Sequence, residues 1–169
     1  MGGRDNEDVS SVGAFTNALR LVRVIADYQF GRGAGKALFP ETCSFILSST
    51  GRVRQVVDGV RIATVKPDSG LLTISIEGAR RLHKTFPYPK LRVCVRNDVS
   101  EFIAKGKSVF AKHVVDVDEK IRPNDEVIVV NEKDELLATG KAILAAKEML
   151  EMKRGVAVSV RQGVLKSME

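Results

Sequence analysis

The segment 105–112 carries residue types that bind a phosphate backbone. It reads Lys-Gly-Lys-Ser-Val-Phe-Ala-Lys. A glycine at position 106 lets a polyanion approach the main chain closely and reach its N–H donors. Lys105 and Lys107 flank it with positive charge, which strengthens binding to a phosphate backbone. We therefore predict that this segment contacts a nucleic acid.

Three further side chains of the same segment are suited to binding an unpaired nucleic acid base. If residues 108–112 are extended, Ser108, Phe110 and Lys112 lie on one face, because side chains alternate along a strand. An aromatic ring between a hydroxyl and an ammonium group can stack on an unpaired RNA base. The alternative is that Phe110 packs inside the protein and the lysines are only solvated.

The glycine-rich loop Gly31–Lys36 differs from a nucleotide-binding loop. Three residues separate Gly31 from Gly35 where a P-loop has four, and Ala37 replaces the Ser or Thr that binds Mg²⁺. We predict a connector, with a secondary contact to RNA phosphates through Arg32 and Lys36 as the alternative.

The other reactive side chains do not form a catalytic or metal-binding pattern. His83 and His113 are far apart and have no Cys, Asp or Glu at ligand spacing. Asp27 has no second carboxylate or base near it in sequence, so we expect it to cap a helix end or form a salt bridge. Cys43 and Cys94 lie in apolar runs and are expected to be buried and reduced. We predict no cofactor, no metal and no enzymatic activity.

The charge distribution fits a polyanionic partner. The 169 residues carry a formal net charge of +6, with a sequence pI of about 9.5. Residues 90–112 contain six Lys or Arg and two acidic residues, whereas residues 113–135 contain three Lys or Arg and eight acidic residues. No apolar stretch approaches the roughly 20 residues of a membrane span, and the polar, acidic N-terminus does not resemble a signal peptide. We expect a cytoplasmic protein.

Local patterns divide the chain into two domains. Residues 1–11 are predicted to be a disordered tail, and apolar residues at helical spacing predict a helix from Val12 to about Gly31. Four strand-like runs follow, separated by Thr50-Gly51, Asp58-Gly59 and Pro67–Gly70 turns, and then a short helix. Phe86-Pro87-Tyr88-Pro89 marks a domain junction, so we place one domain at 12–87 and the next at 88–164.

The second half has the pattern of a small closed barrel. Five or six short strands with one helix near their start are predicted within about 75 residues. The last strand is predicted over Val156–Val160. Together the two halves predict an α+β protein, with a small N-terminal α/β domain followed by a C-terminal β-barrel.

Residues 90–163 resemble a PUA domain, an RNA-binding barrel named after pseudouridine synthases and archaeosine transglycosylases. The resemblance lies in four pieces that occur in order at the spacing of that family: Lys105–Lys112, Ile121–Val127, Leu137–Ala142 and Glu148–Val158. It implies RNA binding, and it places RNA contacts on the side of the barrel where Arg154 and Arg161 bracket the last strand. The alternative for both arginines is a solvated surface.

The first half resembles the domain that precedes PUA in archaeal tRNA-guanine transglycosylases and archaeosine synthases. The matching pieces are Ala26–Gly31, Gly33–Gly35, Thr50–Arg54 and Gly78–Leu82. The resemblance implies an archaeal source. Those enzymes carry their catalytic aspartates in a (β/α)₈ barrel of about 250 residues, for which these 169 residues have no room.

The resemblance implies a protein that binds tRNA at its acceptor region without catalysing a reaction. A sharper hypothesis is the tRNA-binding subunit of a split archaeosine-modifying enzyme, with a transglycosylase or archaeosine synthase as catalytic partner. The alternatives are a PUA-containing translation or ribosome-associated factor, and a small enzyme. The sequence leaves the bound RNA, the existence of the partner and the oligomeric state open.

Overall fold

The computed structural model describes residues 3–165, and the side chains of residues 12–165. The chain divides into two compact units, residues 1–73 and residues 74–169. Both units combine helices and strands, so the α+β class predicted from the sequence is confirmed.

The first unit is a helical pair and an antiparallel meander. Its elements are α1 (Gly3–Phe30), α2 (Ala34–Leu38), β1 (Ser44–Leu47), β2 (Val53–Asp58), β3 (Val60–Val65) and β4 (Leu72–Ile74). The four strands lie in the sheet in sequence order. This order follows from the short turns between them, because a tight turn returns the chain beside the strand it has just left.

The helix α1 buries one face at the spacing that the sequence predicts. Leu19, Val22, Ala26 and Phe30 are all buried, and their separations of three and four residues place them on one side of a helix. The helix begins at Gly3 rather than near Val12. A disordered tail is predicted over residues 1–11; residues 1 and 2 lie outside the described residues, and the backbone of residues 3–11 belongs to α1.

The loop between α1 and α2 is held by internal contacts. The backbone N–H of Gly35 donates to Asp27 Oδ1 at 2.7 Å, so Asp27 caps the start of α2, in agreement with the helix-capping prediction. A Cβ at position 35 would lie 2.4 Å from the carbonyl oxygen of Arg23, which makes glycine necessary there. Contact of Arg32 and Lys36 with RNA stays a prediction.

The second unit is a six-stranded sheet with three α-helices. Its elements are α3 (Ile76–Thr85), β5 (Arg92–Val95), α4 (Ser100–Ala104), β6 (Val109–Phe110), β7 (Val114–Val117), β8 (Glu126–Val130), β9 (Leu136–Ala142), α5 (Ala146–Glu151) and β10 (Val156–Gly163), with 3-10 turns at Asn97–Val99 and Ala111–His113. The strand order is β6-β10-β9-β8-β5-β7.

This sheet curls into a nearly closed barrel because its two edge strands are neighbours in the chain. Only the 3-10 turn Ala111–His113 joins β6 to β7. The interior is apolar and contains mainly small and branched side chains, such as Val93, Val129, Ala138 and Val158. The barrel predicted for the second half is confirmed.

Arg92 holds the start of the barrel to α3. Its side chain is 2% exposed and pairs with Asp134 at 3.1 Å. The same guanidinium donates to the carbonyls of Phe86, Lys90 and His83. These bonds fix the chain between α3 and β5, where the sequence predicts the domain junction. The division into 12–87 and 88–164 stays a prediction.

Two smaller predictions concern cysteines and membranes. Cys43 and Cys94 are both buried and neither forms a disulfide, as expected. Among the described helices, none has the combination of length and apolar character that is needed to cross a membrane.

Candidate nucleic-acid interface

The glycine loop at 105–107 terminates α4. Gly106 has a φ of 103°, a conformation that favours glycine. Its N–H donates to the carbonyl of Ile103 at 2.9 Å, and the N–H of Lys107 donates to Phe102 at 3.1 Å. The sequence predicts free N–H donors for a polyanion at this glycine, but both of these N–H groups bond within the chain. The last turn of the helix leaves its carbonyls unpaired, and these donors satisfy them.

The end of β10 packs directly against this loop. A Cβ at position 163 would lie 2.1 Å from the carbonyl oxygen of Ala104 and 2.8 Å from the nitrogen of Gly106. The N–H of Leu165 also donates to Ala104 at 2.9 Å. Gly163 therefore positions the loop by close approach. No pattern in the sequence predicts a role for this residue, because nothing there indicates that the C-terminal ends of α4 and β10 meet.

Phe110 lies outside the barrel core. Its neighbour Val109 is fully buried, whereas Phe110 is 46% exposed, as alternation along a strand requires. The alternative in which Phe110 packs inside the barrel is therefore wrong. The Lys112 Nζ lies 6.0 Å from the centre of the Phe110 ring, and the His113 ring meets it edge-on at 6.3 Å.

The extended segment is shorter than predicted. Residues 111–113 form a 3-10 turn, so strict alternation stops at Phe110 and does not place Lys112 on the face of Ser108. Lys112 nevertheless stays beside Phe110 because the turn is tight. The half-buried Ser108 directly precedes β6, on the side of the glycine loop.

Strand pairing brings Arg154 to the same place. Phe110 pairs with Val156 of β10, and the N–H of Ala111 donates to the carbonyl of Gly155 at 2.9 Å. Arg154 is exposed and directly precedes Gly155. We call the surface formed by Lys107, Ser108, Phe110, Lys112 and Arg154 the β6 face.

The cations of this region differ in what they contact. Lys105 forms an exposed ion pair with Glu101 at 2.9 Å, an interaction that is weak and easily exchanged in water. Among the described residues, no carboxylate lies within salt-bridge distance of Lys107, Lys112 or Arg154. The β6 face therefore presents three cations that are not neutralised locally.

The pKa of His113 indicates the local potential. It is lowered from its ordinary value, first by burial and then by repulsion from Arg96 and Lys112, with Asp98 acting in the opposite direction. Arg96 itself pairs with Asp98 at 2.7 Å. The positive charge of Arg96 and Lys112 beside this ring is consistent with a site for anions.

Arg161 lies within β10, not beyond it, and is part of an internal ion pair. The register of β10 against β9 shifts between Val160 and Gln162, and this bulge directs Arg161 across β9 toward Glu126 of β8. Both terminal nitrogens contact the buried carboxylate, at 2.7 and 2.5 Å. The structure therefore separates Arg161 from the β6 face and gives it a structural contact. Its RNA contact stays a prediction.

His83, the other histidine of the chain, makes a structural contact. His83 Nε2 contacts the carbonyl of Asp134 at 2.7 Å. Within the described part of the chain, no group of three or more His, Cys, Asp or Glu side chains is arranged to hold a metal ion. The β6 face offers positive charge and an exposed aromatic ring. Groups of these two kinds are suited to a polyanion with unpaired bases.

Comparison with known families assigns both halves of the chain. Residues 20–89 match the patch-forming domain C2 of tRNA-guanine transglycosylase, and residues 91–164 match the PUA domain. The tRNA-guanine(15) transglycosylase of Pyrococcus abyssi is 52% identical over 149 residues, which is 88% of this chain and 25% of that protein. The Methanothermobacter thermautotrophicus protein of the same name is 50% identical over 144 residues, 84% of this chain and 22% of that one.

The chain thus spans about a quarter of the length of these curated relatives, in their C-terminal part. Solved structures share the fold. A hypothetical protein from Pyrococcus horikoshii aligns with a TM-score of 0.69 at 22% identity, covering 90% of this chain and 95% of its own. A PUA domain protein from Thermoplasma acidophilum aligns with a TM-score of 0.59 at 20% identity, covering 88% of this chain and 89% of its own.

Proposed function

We propose that this chain binds RNA and acts in tRNA modification. The proposal proceeds from the finding that it is a PUA-domain protein resembling the C-terminal part of archaeal tRNA-guanine transglycosylases. The observation that carries the proposal is the β6 face. An exposed Phe110 stands there beside Lys112 and Arg154, within the domain that matches PUA.

The ligand proposed is tRNA, bound at its acceptor region. A duplex stem supplies closely spaced phosphates for Lys107, Lys112 and Arg154, and the single-stranded end supplies unpaired bases for Phe110. The predicted site includes Lys105, whose weak ion pair with Glu101 is exchangeable for a phosphate. It also includes Gly106, which sets the loop geometry, and Arg161, which is reached only if RNA extends beyond β6.

The chain is proposed to be non-catalytic by itself. Its match to the curated enzymes covers their C-terminal quarter, and the two matched domains occupy residues 20–164. We propose that it serves as the tRNA-binding subunit of a split archaeosine-modifying enzyme whose transglycosylase or synthase chain supplies the chemistry. No cofactor is assigned to it.

The test uses the full chain and three RNAs in a filter-binding assay at several salt concentrations. These are a whole tRNA transcript, a minihelix that contains its acceptor stem and single-stranded end, and its anticodon hairpin. We expect the first two to bind with similar affinity and the hairpin at least ~10-fold more weakly, which is about 1.4 kcal/mol. Equal affinity for all three would remove the acceptor assignment. A preference for ribosomal RNA fragments over tRNA would favour the translation-factor alternative.

A second assay addresses catalysis. The full chain is incubated with tRNA and labelled guanine or a deazaguanine base, and no label should enter the tRNA. Incorporation that rises in proportion to the concentration of purified chain would show that it is an enzyme.

A further inference from the structure

The helix α1 carries large apolar side chains on the face opposite its buried one. Leu21, Val24 and Tyr28 are 53%, 60% and 84% exposed. Their separations of three and four residues place them on one line along the helix. We call these three residues the outer stripe. Ala14 and Asn17, which are also exposed, continue the same line toward the N-terminus.

A helix with apolar side chains on two opposite faces is not typical of a surface helix. Single exposed apolar side chains are common, but a contiguous group marks an interaction surface. The outer stripe includes a tyrosine, one of the residue types that contribute most to protein–protein interfaces. These features indicate that another protein surface covers it.

The comparisons indicate which surface that is. The match to domain C2 begins at residue 20, directly before Leu21. In the curated relatives the matched segment is the C-terminal quarter, so the other three quarters precede this helix. The outer stripe therefore lies on the element of the domain that is nearest in sequence to the rest of the enzyme.

We infer that the outer stripe docks against the body of a tRNA-guanine transglycosylase, the part that these relatives carry ahead of their C2 and PUA domains. This inference rests on the proposed function and names the surface through which the catalytic part is recruited. The partner surface must offer apolar side chains, because Leu21 and Val24 can stabilise a complex only by dispersion and by removal of their apolar surface from water.

A second copy of this chain fits the stripe less well. Helix pairing through a coiled-coil seam needs an apolar repeat sustained over about three to four heptads. The large side chains extend only from Leu21 to Tyr28, and Asn17 and Ala14 continue the line with one polar and one small residue. The stripe is therefore too short for a coiled-coil pair with a second copy, while a folded partner can extend the contact on either side.

The test uses the P. abyssi transglycosylase shortened by the quarter that this chain matches. Binding of this shortened enzyme to the chain described here is measured by titration calorimetry. The full-length P. abyssi enzyme serves as a control, because in it the enzyme's own C2 domain already occupies the docking site. We expect the unchanged chain to bind the shortened enzyme and not the full-length one. The double variant Leu21→Glu with Val24→Glu should bind at least ~30-fold more weakly, as expected for two central apolar residues.

The matched control is Val12→Glu. Val12 is on the same helix and is 64% exposed, but it lies about 120° around the helix from Val24. The Val12→Glu variant should bind within about twofold of the parent, because Val12 is solvent-exposed like Leu21 and Val24 but lies on another face of the helix. Equal binding by the double variant and the parent, or no binding by the parent, would overturn the inference. So would light scattering that shows a dimer of this chain dissociated by the double variant.

A fusion keeps the test valid if the shortened enzyme folds poorly by itself. Joining it to this chain at the matched junction restores the covalent link of the relatives. In the fusion the double variant should lower the midpoint of thermal unfolding relative to Val12→Glu, and an unchanged midpoint would count against docking. Failure here is distinct from failure of the proposed function: the double variant is expected to keep the tRNA affinity of the parent, because the outer stripe carries no charge that RNA contacts.

Discussion

The guanidinium of Arg161 faces the carboxylate of Glu126, and its two terminal nitrogens donate to the two carboxylate oxygens at 2.7 and 2.5 Å. The glutamate side chain is 1% exposed and the arginine side chain 35%. Glu126 also accepts from the backbone N–H of Ile74. A charge so deeply buried depends on its partner, because an unpaired carboxylate inside a protein is costly.

We expect Arg161→Ala to lower the free energy of unfolding by about 2 to 4 kcal/mol, since it leaves the buried Glu126 unpaired while removing a partly hydrated partner. Urea denaturation measures this loss. Arg154→Ala, in the same part of the chain but without an ion pair in the described structure, should change it by less than about 0.5 kcal/mol. Equal effects would show that the ion pair contributes little.

The RNA contact predicted for Arg161 is tested with the same variant. At a temperature where Arg161→Ala is fully folded, its tRNA affinity is compared with that of the parent. An affinity that falls while folding is complete would indicate direct contact, and an unchanged affinity would leave Arg161 with its structural contact alone.

Arg92 gives a second prediction about stability. Its buried guanidinium pairs with Asp134 and donates to three carbonyls in the chain from α3 to β5. Arg92→Met keeps most of the volume and removes every donor, so we expect a loss of about 3 to 5 kcal/mol in urea denaturation. Arg96→Met is the control, because the ion pair of Arg96 with Asp98 is exposed and screened by water, so its loss should change stability little. A loss of similar size in both variants would contradict the structure.

The sequence predicts the elements better than it predicts their contacts. Periodicity identifies the buried face of α1, and glycine turns identify the meander, because both depend on neighbouring residues. The pairing of Arg161 with Glu126 depends on a bulge in β10 and on a strand order that joins residues 35 positions apart. Contacts of this kind are set by tertiary structure, and no local pattern indicates them.

The same distinction explains the outcome at the glycine loop. Residue types alone predict a site at 105–112, and the structure places Phe110, Lys112 and Arg154 together through β6–β10 pairing. The free N–H donors expected at Gly106 and Lys107 are absent from the described surface, since they bond to carbonyls of α4. Sequence alone could not show this, because the end of α4 had to be known to within one residue.

The lowered pKa of His113 predicts how stability depends on pH. In the unfolded chain the imidazole takes up a proton near its ordinary pKa of 6.5, whereas the folded chain does so only at lower pH. The unfolded state then binds more protons, so stability falls as pH decreases through this window and levels off below the folded pKa. We expect urea midpoints to show this fall between about pH 7 and 5, and His113→Gln to reduce its slope.

Bound RNA should change that dependence. Phosphates near Lys112 would offset the positive charge that lowers the pKa of His113, so protonation would cost less in the complex. The tRNA affinity of the parent should therefore increase relative to that of His113→Gln as the pH falls. An identical pH dependence for both proteins would place the phosphates away from the β6 face.

The cations of the β6 face give a prediction about salt. Lys107→Ala with Lys112→Ala should remove up to two phosphate contacts and lower the slope of log affinity for tRNA against log salt by about two units. Lys120→Ala with Lys133→Ala removes the same charge from the acid-rich segment 113–135 and is the control. If both double variants keep the slope of the parent, the RNA face lies elsewhere on the barrel.

Gly106 separates a role in RNA contact from a role in folding. Its φ of 103° means that an L-residue there is strained by about 1 to 3 kcal/mol, and asparagine tolerates positive φ better than valine does. We expect Gly106→Val to lose more stability than Gly106→Asn in urea denaturation. If the RNA backbone passes over this glycine, both side chains obstruct it, and both variants should bind tRNA more than ~10-fold more weakly while still folded, a loss above about 1.4 kcal/mol. If the loop only ends α4, tRNA affinity will follow the folded fraction, and the folded asparagine variant will bind like the parent.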